Sequence, residues 1–200
     1  LRCHVQNRQG HCRGSKSQRK IMNELRPDVR AINRVFFEAL LLTTFSLPAI
    51  CQVSNSEQSE LDSILIRFRN AIVTKDSTAF NKLFFDRGVK FIGIMSQKTE
   101  DSIKKKHSDF QGVSVSTSLR FINQICSSAK NHEETFYNET IRISEVIATV
   151  SFDYSYQIDK KMVQWGHETW TMVFVEGNWL ISDVVFSIHF PAVEPCPFAP

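Results

Sequence analysis

The sequence predicts an α+β fold in which helices come first and a long antiparallel meander follows. Three observations carry this. Apolar residues recur at helical spacing through residues 59–84. Four runs rich in β-branched and aromatic residues fill 136–190, and turn-forming residues separate them. Composition permits such a core: 42% of the 200 residues are hydrophobic, 22% are charged, and Phe alone contributes 16. Gly 7 and Pro 6 exclude collagen-like and low-complexity chains.

Residues 59–73 place Leu61, Ile64, Leu65, Phe68 and Ile72 on one helical face, with Ser and Asn at 54–59 to cap it and Asp62 near its positive start. Thr74-Lys75 breaks that helix. Asp76 caps a second, short one holding Ala79, Phe80, Leu83 and Phe84, and Asp86-Arg87-Gly88 ends it with Gly88 at positive φ. Residues 89–95 read as a strand. A third helix runs from Thr99, with Glu100 and Asp101 in its first turn and Ile103, His107 and Phe110 on one face. A histidine in that setting is more often a hydrogen-bonded core residue than a functional group, and Lys104–Lys106 form the solvated side. Residues 114–125 alternate weakly and are expected to give one or two strands before a polar loop at 127–133. Strands then follow at 136–143, 147–157, 165–176 and 179–190, with a loop at 158–164 and a primed turn at Gly177-Asn178. Pro191 ends the sheet.

Charge is unevenly divided. Residues 1–34 carry nine Lys/Arg against Glu24 and Asp28, a net +7, which leaves −4 on the rest of a chain whose total is +3. The globular part has no footprint for a phosphate backbone, so nucleic acid is not an expected partner. The apolar run 39–50 is shorter than the roughly 20 residues a membrane span needs. A basic stretch, a short apolar run and small residues after it read as a secretory signal peptide cleaved near Ala49 or Cys51, which implies export to a periplasm or the exterior. Ile50 before Cys51 is too bulky for a good lipid-attachment site. Glu38 at the edge of the run favours the alternative, an amphipathic or buried helix. Met22 precedes the basic stretch, so residues 1–21 are expected to lie upstream of the true start and to have nothing to pack against. The expected organisation is a leader over 1–51, a domain over 52–191 and a Pro-rich tail over 192–200.

Export would permit a disulfide between Cys126 and Cys196, but a separation of seventy residues leaves their pairing open. No Cys-x-x-Cys and no close histidine pair exist, so neither a metal nor another cofactor is expected. Asn138-Glu139-Thr140 is a glycosylation sequon, relevant only in a eukaryotic secretory pathway.

The stretch AIVTKDSTAFNKLF (71–84), the strand after it, and GHETWTMVFVEGNWLISDVVFS (166–187) resemble a nuclear transport factor 2-like domain, also called SnoaL-like or ketosteroid-isomerase-like. The resemblance spans about residues 56–190. It implies a cone-shaped roll of about three N-terminal helices packed on a curved antiparallel sheet. One sheet face would close over the helices as a pocket, and the other often makes a homodimer. It says little about activity, because this fold hosts isomerases, cyclases, dehydratases and non-catalytic binders.

Pairing Glu176 with Trp179 would put Glu168, Trp170, Met172, Trp179, Ile181, Asp183, Val185 and His189 on one hairpin face. The pocket is expected there, because aromatic walls are mixed with isolated polar groups: Glu168, Trp170, Asp183 and His189, joined by Tyr154 from the preceding strand. If the opposite face lines the pocket, Asp153 and His167 take their place. The competing structural reading makes Trp170 and Trp179 core or dimer aromatics, with Glu168 and Asp183 at wet strand edges. No position matches a known catalytic motif, so no catalytic residue is assigned. The expected function is an exported, non-catalytic, dimeric binder of a small, mostly apolar molecule, with at most one polar group in a closed pocket. Two alternatives remain. An isomerase, cyclase or dehydratase acting beside a carbonyl would place a carboxylate or His deep in the pocket. A homo-oligomerisation module would carry only a vestigial pocket.

Overall fold

The computed structural model describes residues 55–198. The leader, the candidate cleavage site and the questions of start codon and export therefore lie outside the described residues.

The first helix, α1 (Asn55–Thr74), is longer than the apolar spacing alone predicts. Leu61, Ile64, Leu65, Phe68 and Ile72 are all at most 3% exposed, so the i, i+3, i+4 stripe is its buried face. Lys75 ends it in the left-handed region at φ 57, with Asp76 N–H donating to the Ala71 carbonyl and Lys75 N–H to that of Ile72. Asp76 then caps α2 (Ser77–Asn81) by accepting from the Ala79 N–H at 2.8 Å. This helix is shorter than expected. Its last apolar residues leave the helix to pair with the sheet, Phe85 N–H and the Leu83 carbonyl both bonding Ile181. Gly88 is not at positive φ.

Next come β1 (Lys90–Met95) and α3 (Gln97–Lys104), capped by Ser96. Helix α3 stops before His107, which is exposed and packs on no apolar face. The weakly alternating segment divides into β2 (Val113–Thr117) and a helix, α4 (Ser118–Ser127), where one or two strands were expected. Thr117 caps α4 by accepting from the Arg120 N–H, and burial of Ile122 and Ile125 at i, i+3 holds it down. Tertiary burial overrides the β-leaning composition there.

Four long strands complete the chain: β3 (His132–Ser144), β4 (Ile147–Ile158), β5 (Lys161–Val175) and β6 (Asn178–Ile188). They join β1 and β2 in one six-stranded sheet of order β2-β1-β6-β5-β4-β3. The expected antiparallel roll is present with one parallel pairing, β1 against β6, which makes the sheet mixed. The loop expected at 158–164 is a two-residue turn, Asp159-Lys160, with both residues at positive φ.

The final hairpin corrects the expected register twice. Its turn is Glu176-Gly177 (φ 51 and 79), so Val175 pairs with Asn178 and Phe174 with Trp179. Both central residues of a primed turn must take positive φ, and Glu176 does so here. A bulge then inserts an extra residue between Ile181 and Asp183. The turn shift moves partners by two and preserves the faces, but the bulge exchanges them. Beyond it, Val184, Phe186 and Ile188 point inward, and Asp183, Val185 and His189 do not.

The core lies between the helices and the concave face of the sheet. Trp170 is fully buried against Phe68, with ring centroids 4.8 Å apart, and meets Phe152 edge-on at 5.0 Å. The Pro-rich tail folds back: the Trp165 indole N–H donates to the Glu194 carbonyl at 2.7 Å, and Phe198 packs on Tyr137 and Trp165. Cys126 and Cys196 are both free thiols.

Candidate functional site

Strand alternation builds the site. Glu134 on β3 pairs with Tyr156 on β4, which pairs with Gln164 on β5, so the three side chains form one inward row. Four residues along, Phe152, Glu168 and Phe186 form a second row, with Tyr154 between the two. Glu134, Tyr154, Tyr156, Gln164, Glu168 and Phe186, together with Phe68 of α1 and Phe121 of α4, line a cavity of about 240 Å³. A cavity near 150 Å³ already accommodates benzene, so this one takes one substituted ring.

Two carboxyl groups sit inside. Glu168 is 5% exposed and accepts the Trp170 indole N–H at 2.5 Å. Burial pushes its pKa up to about 7, while the indole N–H, which stabilises the ionised form, pulls it down. Glu134, also 5% exposed, has no hydrogen-bond partner among the described residues. Burial raises its pKa well above the carboxylate range, the Glu168 charge raises it further, and Arg69 opposes both. Two like charges sharing one buried cavity resist joint ionisation, so the pair holds a proton at pH values where ordinary carboxyls are ionised.

The two tyrosines differ in what their hydroxyls can still do. Tyr154 O–H donates to the Ser187 carbonyl at 2.8 Å and accepts from Gln164 Nε2 at 2.7 Å. The Tyr156 oxygen meets His132 Nδ1 at 2.7 Å. Burial raises the pKa of both phenols, so both stay neutral.

Of the residues singled out from sequence, Tyr154 and Glu168 line the cavity, and Trp170 lies behind Glu168 as its hydrogen-bond donor. Asp183 and His189 are not brought to it, because the β6 bulge turns them to the other face. His189 instead stacks on Trp165 at 4.0 Å and reaches Glu194 at 3.1 Å. Asp153 and His167 meet each other at 3.1 Å on the outer face, where Asn138 also bonds Asp153. Sequence reasoning missed Glu134, Tyr156 and Gln164. The signal for Glu134 was the alternation of β3 continued two residues back from Phe136, between the polar loop read at 127–133 and the strand read from 136. Among the described residues no cluster of His, Cys, Asp or Glu could hold a metal ion, and no helix is long and apolar enough to cross a membrane.

No protein-family model matches the sequence, and no curated protein matches it. Solved structures do match by shape. A Nostoc punctiforme protein of unknown function with a cystatin-like fold superposes with a TM-score of 0.50 at 11% identity, covering 72% of this chain and 98% of that one. A Mycobacterium tuberculosis protein of unknown function also gives 0.50 at 12% identity, over 70% of this chain and 80% of that one. A nuclear transport factor 2-like protein from Cytophaga hutchinsonii gives 0.49 at 15% identity, over 68% and 100%. The described domain thus has the cystatin-like fold, the architecture that its resemblance to nuclear transport factor 2-like domains implies.

Proposed function

We propose that the cavity is the active site of an enzyme that moves a proton beside a carbonyl group of a small, one-ring molecule. One observation carries this reading: two buried carboxyls, one accepting an indole N–H and the other without a hydrogen-bond partner among the described residues, share an aromatic-walled cavity. A binder of a wholly apolar ligand would have at most one polar group there. In the proposed reaction the Glu168 carboxylate takes a proton from the carbon next to the carbonyl, and the Glu134 carboxyl donates one to the carbonyl oxygen, giving an enol. Return of a proton to a different carbon isomerises the substrate. Where the substrate carries a β-hydroxyl, protonated Glu168 gives that hydroxyl its proton as it leaves as water, while the enol O–H returns its proton to Glu134, and the product is the unsaturated carbonyl.

The test is exchange of the α-hydrogens of cyclohexanone and of 4-aminocyclohexanone in D₂O, followed by proton NMR. The protein should accelerate exchange over buffer, and Glu168→Gln should remove about 10²-fold or more of that acceleration. Equal rates with and without the protein would overturn the reading. Export and dimerisation belong to the same proposal. Support for a dimer comes from the outer sheet face, where Ile94, Val113, Val115 and Val185 are each at least 40% exposed. Sedimentation of the wild type and of Val115→Glu tests it, with a dimer expected for the first and a monomer for the second.

A further inference from the structure

A buried charge needs a partner, and this cavity supplies none. Glu134 and Glu168 are the only charged groups among the described residues that line it, and the remaining lining side chains are aromatic, aliphatic, hydroxyl or amide. Once one of the pair ionises, a negative charge stands in a largely aromatic-walled space with no cationic side chain lining it among the described residues. Arg69 reaches toward it from α1, but its guanidinium lies 5.7 Å over the Phe136 ring and forms no ion pair with either carboxylate among the described residues. A neutral ligand would displace solvent and leave that charge buried and unpaired, which is costly. An organic cation would neutralise it, and the aromatic side chains of Phe68, Phe121 and Tyr156 among the lining residues suit an ammonium group.

We propose that the cavity selects a one-ring organic cation, whose protonated amine sits between Glu134 and Glu168 against the aromatic walls. This rests on the reading of the cavity as the ligand site. It leaves the proton chemistry intact, because a single positive charge balances a pair that still shares one proton. The substrate class is therefore a small cyclic or aryl amine carrying a carbonyl. Affinity should rise with pH as the pair sheds its second proton. The groups facing the pair are Arg69 from α1 and Tyr154 and Tyr156 from β4.

Three probes of matched size decide it: benzylamine, benzyl alcohol and benzoate, added to the full chain at about pH 7.5, where the amine is protonated. Calorimetry and thermal melting give the affinities. Benzylamine is expected to bind at least about tenfold more tightly than benzyl alcohol (~1.4 kcal/mol), and benzoate is expected not to bind. The double variant Glu134→Gln/Glu168→Gln, checked for folding by circular dichroism, should abolish the preference. The wild-type comparison of amine with alcohol decides the question even if a variant fails to fold. Equal binding of benzyl alcohol overturns the cation and leaves the cavity as a ligand site. No binding of any probe at about 10 mM overturns both. Benzylamine binding without α-hydrogen exchange in protonated 4-aminocyclohexanone keeps the cation and overturns the proton transfer.

Discussion

Glu168 is buried to 5% exposure and holds its proton to about pH 7, above the ordinary 4.5, so it ties stability to pH. Between those values the folded state binds a proton that the unfolded state has lost. Its contribution is therefore fully present below about pH 4.5 and is lost as pH rises through about 7, a change of about 3 kcal/mol. Glu168→Gln should flatten this part of the profile, measured by urea unfolding across that range. An unchanged slope would mean that the group is solvated. Gly166 is the other telling residue. A Cβ there would lie 2.0 Å from the Ser187 carbonyl oxygen, which accepts the Tyr154 hydroxyl. Gly166→Ala should force β5 and β6 apart and cost about 2–3 kcal/mol, read by the same unfolding experiment.

At the scale of the element, turns and bulges decide which side chains meet. The β4–β5 turn holds Asp159 and Lys160 at φ 50 and 64, with the Asp159 carboxylate accepting the Asn131 N–H. Keeping Asp159 and replacing Lys160 by Gly produces the pair that primed turns favour. The left-handed strain at 160 is relieved, partly offset by the entropy glycine loses on folding. Lys160→Gly should therefore stabilise the protein by about 0.5–1 kcal/mol in thermal melts. The β6 bulge works in the opposite sense for legibility. One inserted residue exchanges the faces and removes Asp183 and His189 from the cavity.

At the scale of the molecule, the tail closes the fold. The Glu194 carboxylate accepts from Ser96 and His189 and meets Lys98, joining the start of α3 to the end of β6, while Phe198 covers Tyr137 and Trp165. Hydrogen bonding from Ser96, aided by His189 and Lys98, holds its carboxyl below the usual carboxylate range. Truncation after Ala192 should lower Tm while far-ultraviolet circular dichroism keeps the strand signal. An unchanged Tm would make the tail an ornament of the surface.

The sequence by itself determined the α+β class, the buried stripe of α1, the Asp76 cap and the existence of β4, β5 and β6. Each of these follows from a period or a cap, physics that acts within a few residues. Only the tertiary structure decided that residues 118–127 are helical, that β1 runs parallel to β6, and that Glu134 and Tyr156 complete the cavity while Asp183 and His189 stay outside. Those outcomes depend on contacts between distant segments. A bulge changes a whole strand's facing by inserting one residue, and the local pattern of apolar and polar side chains carries no mark of it.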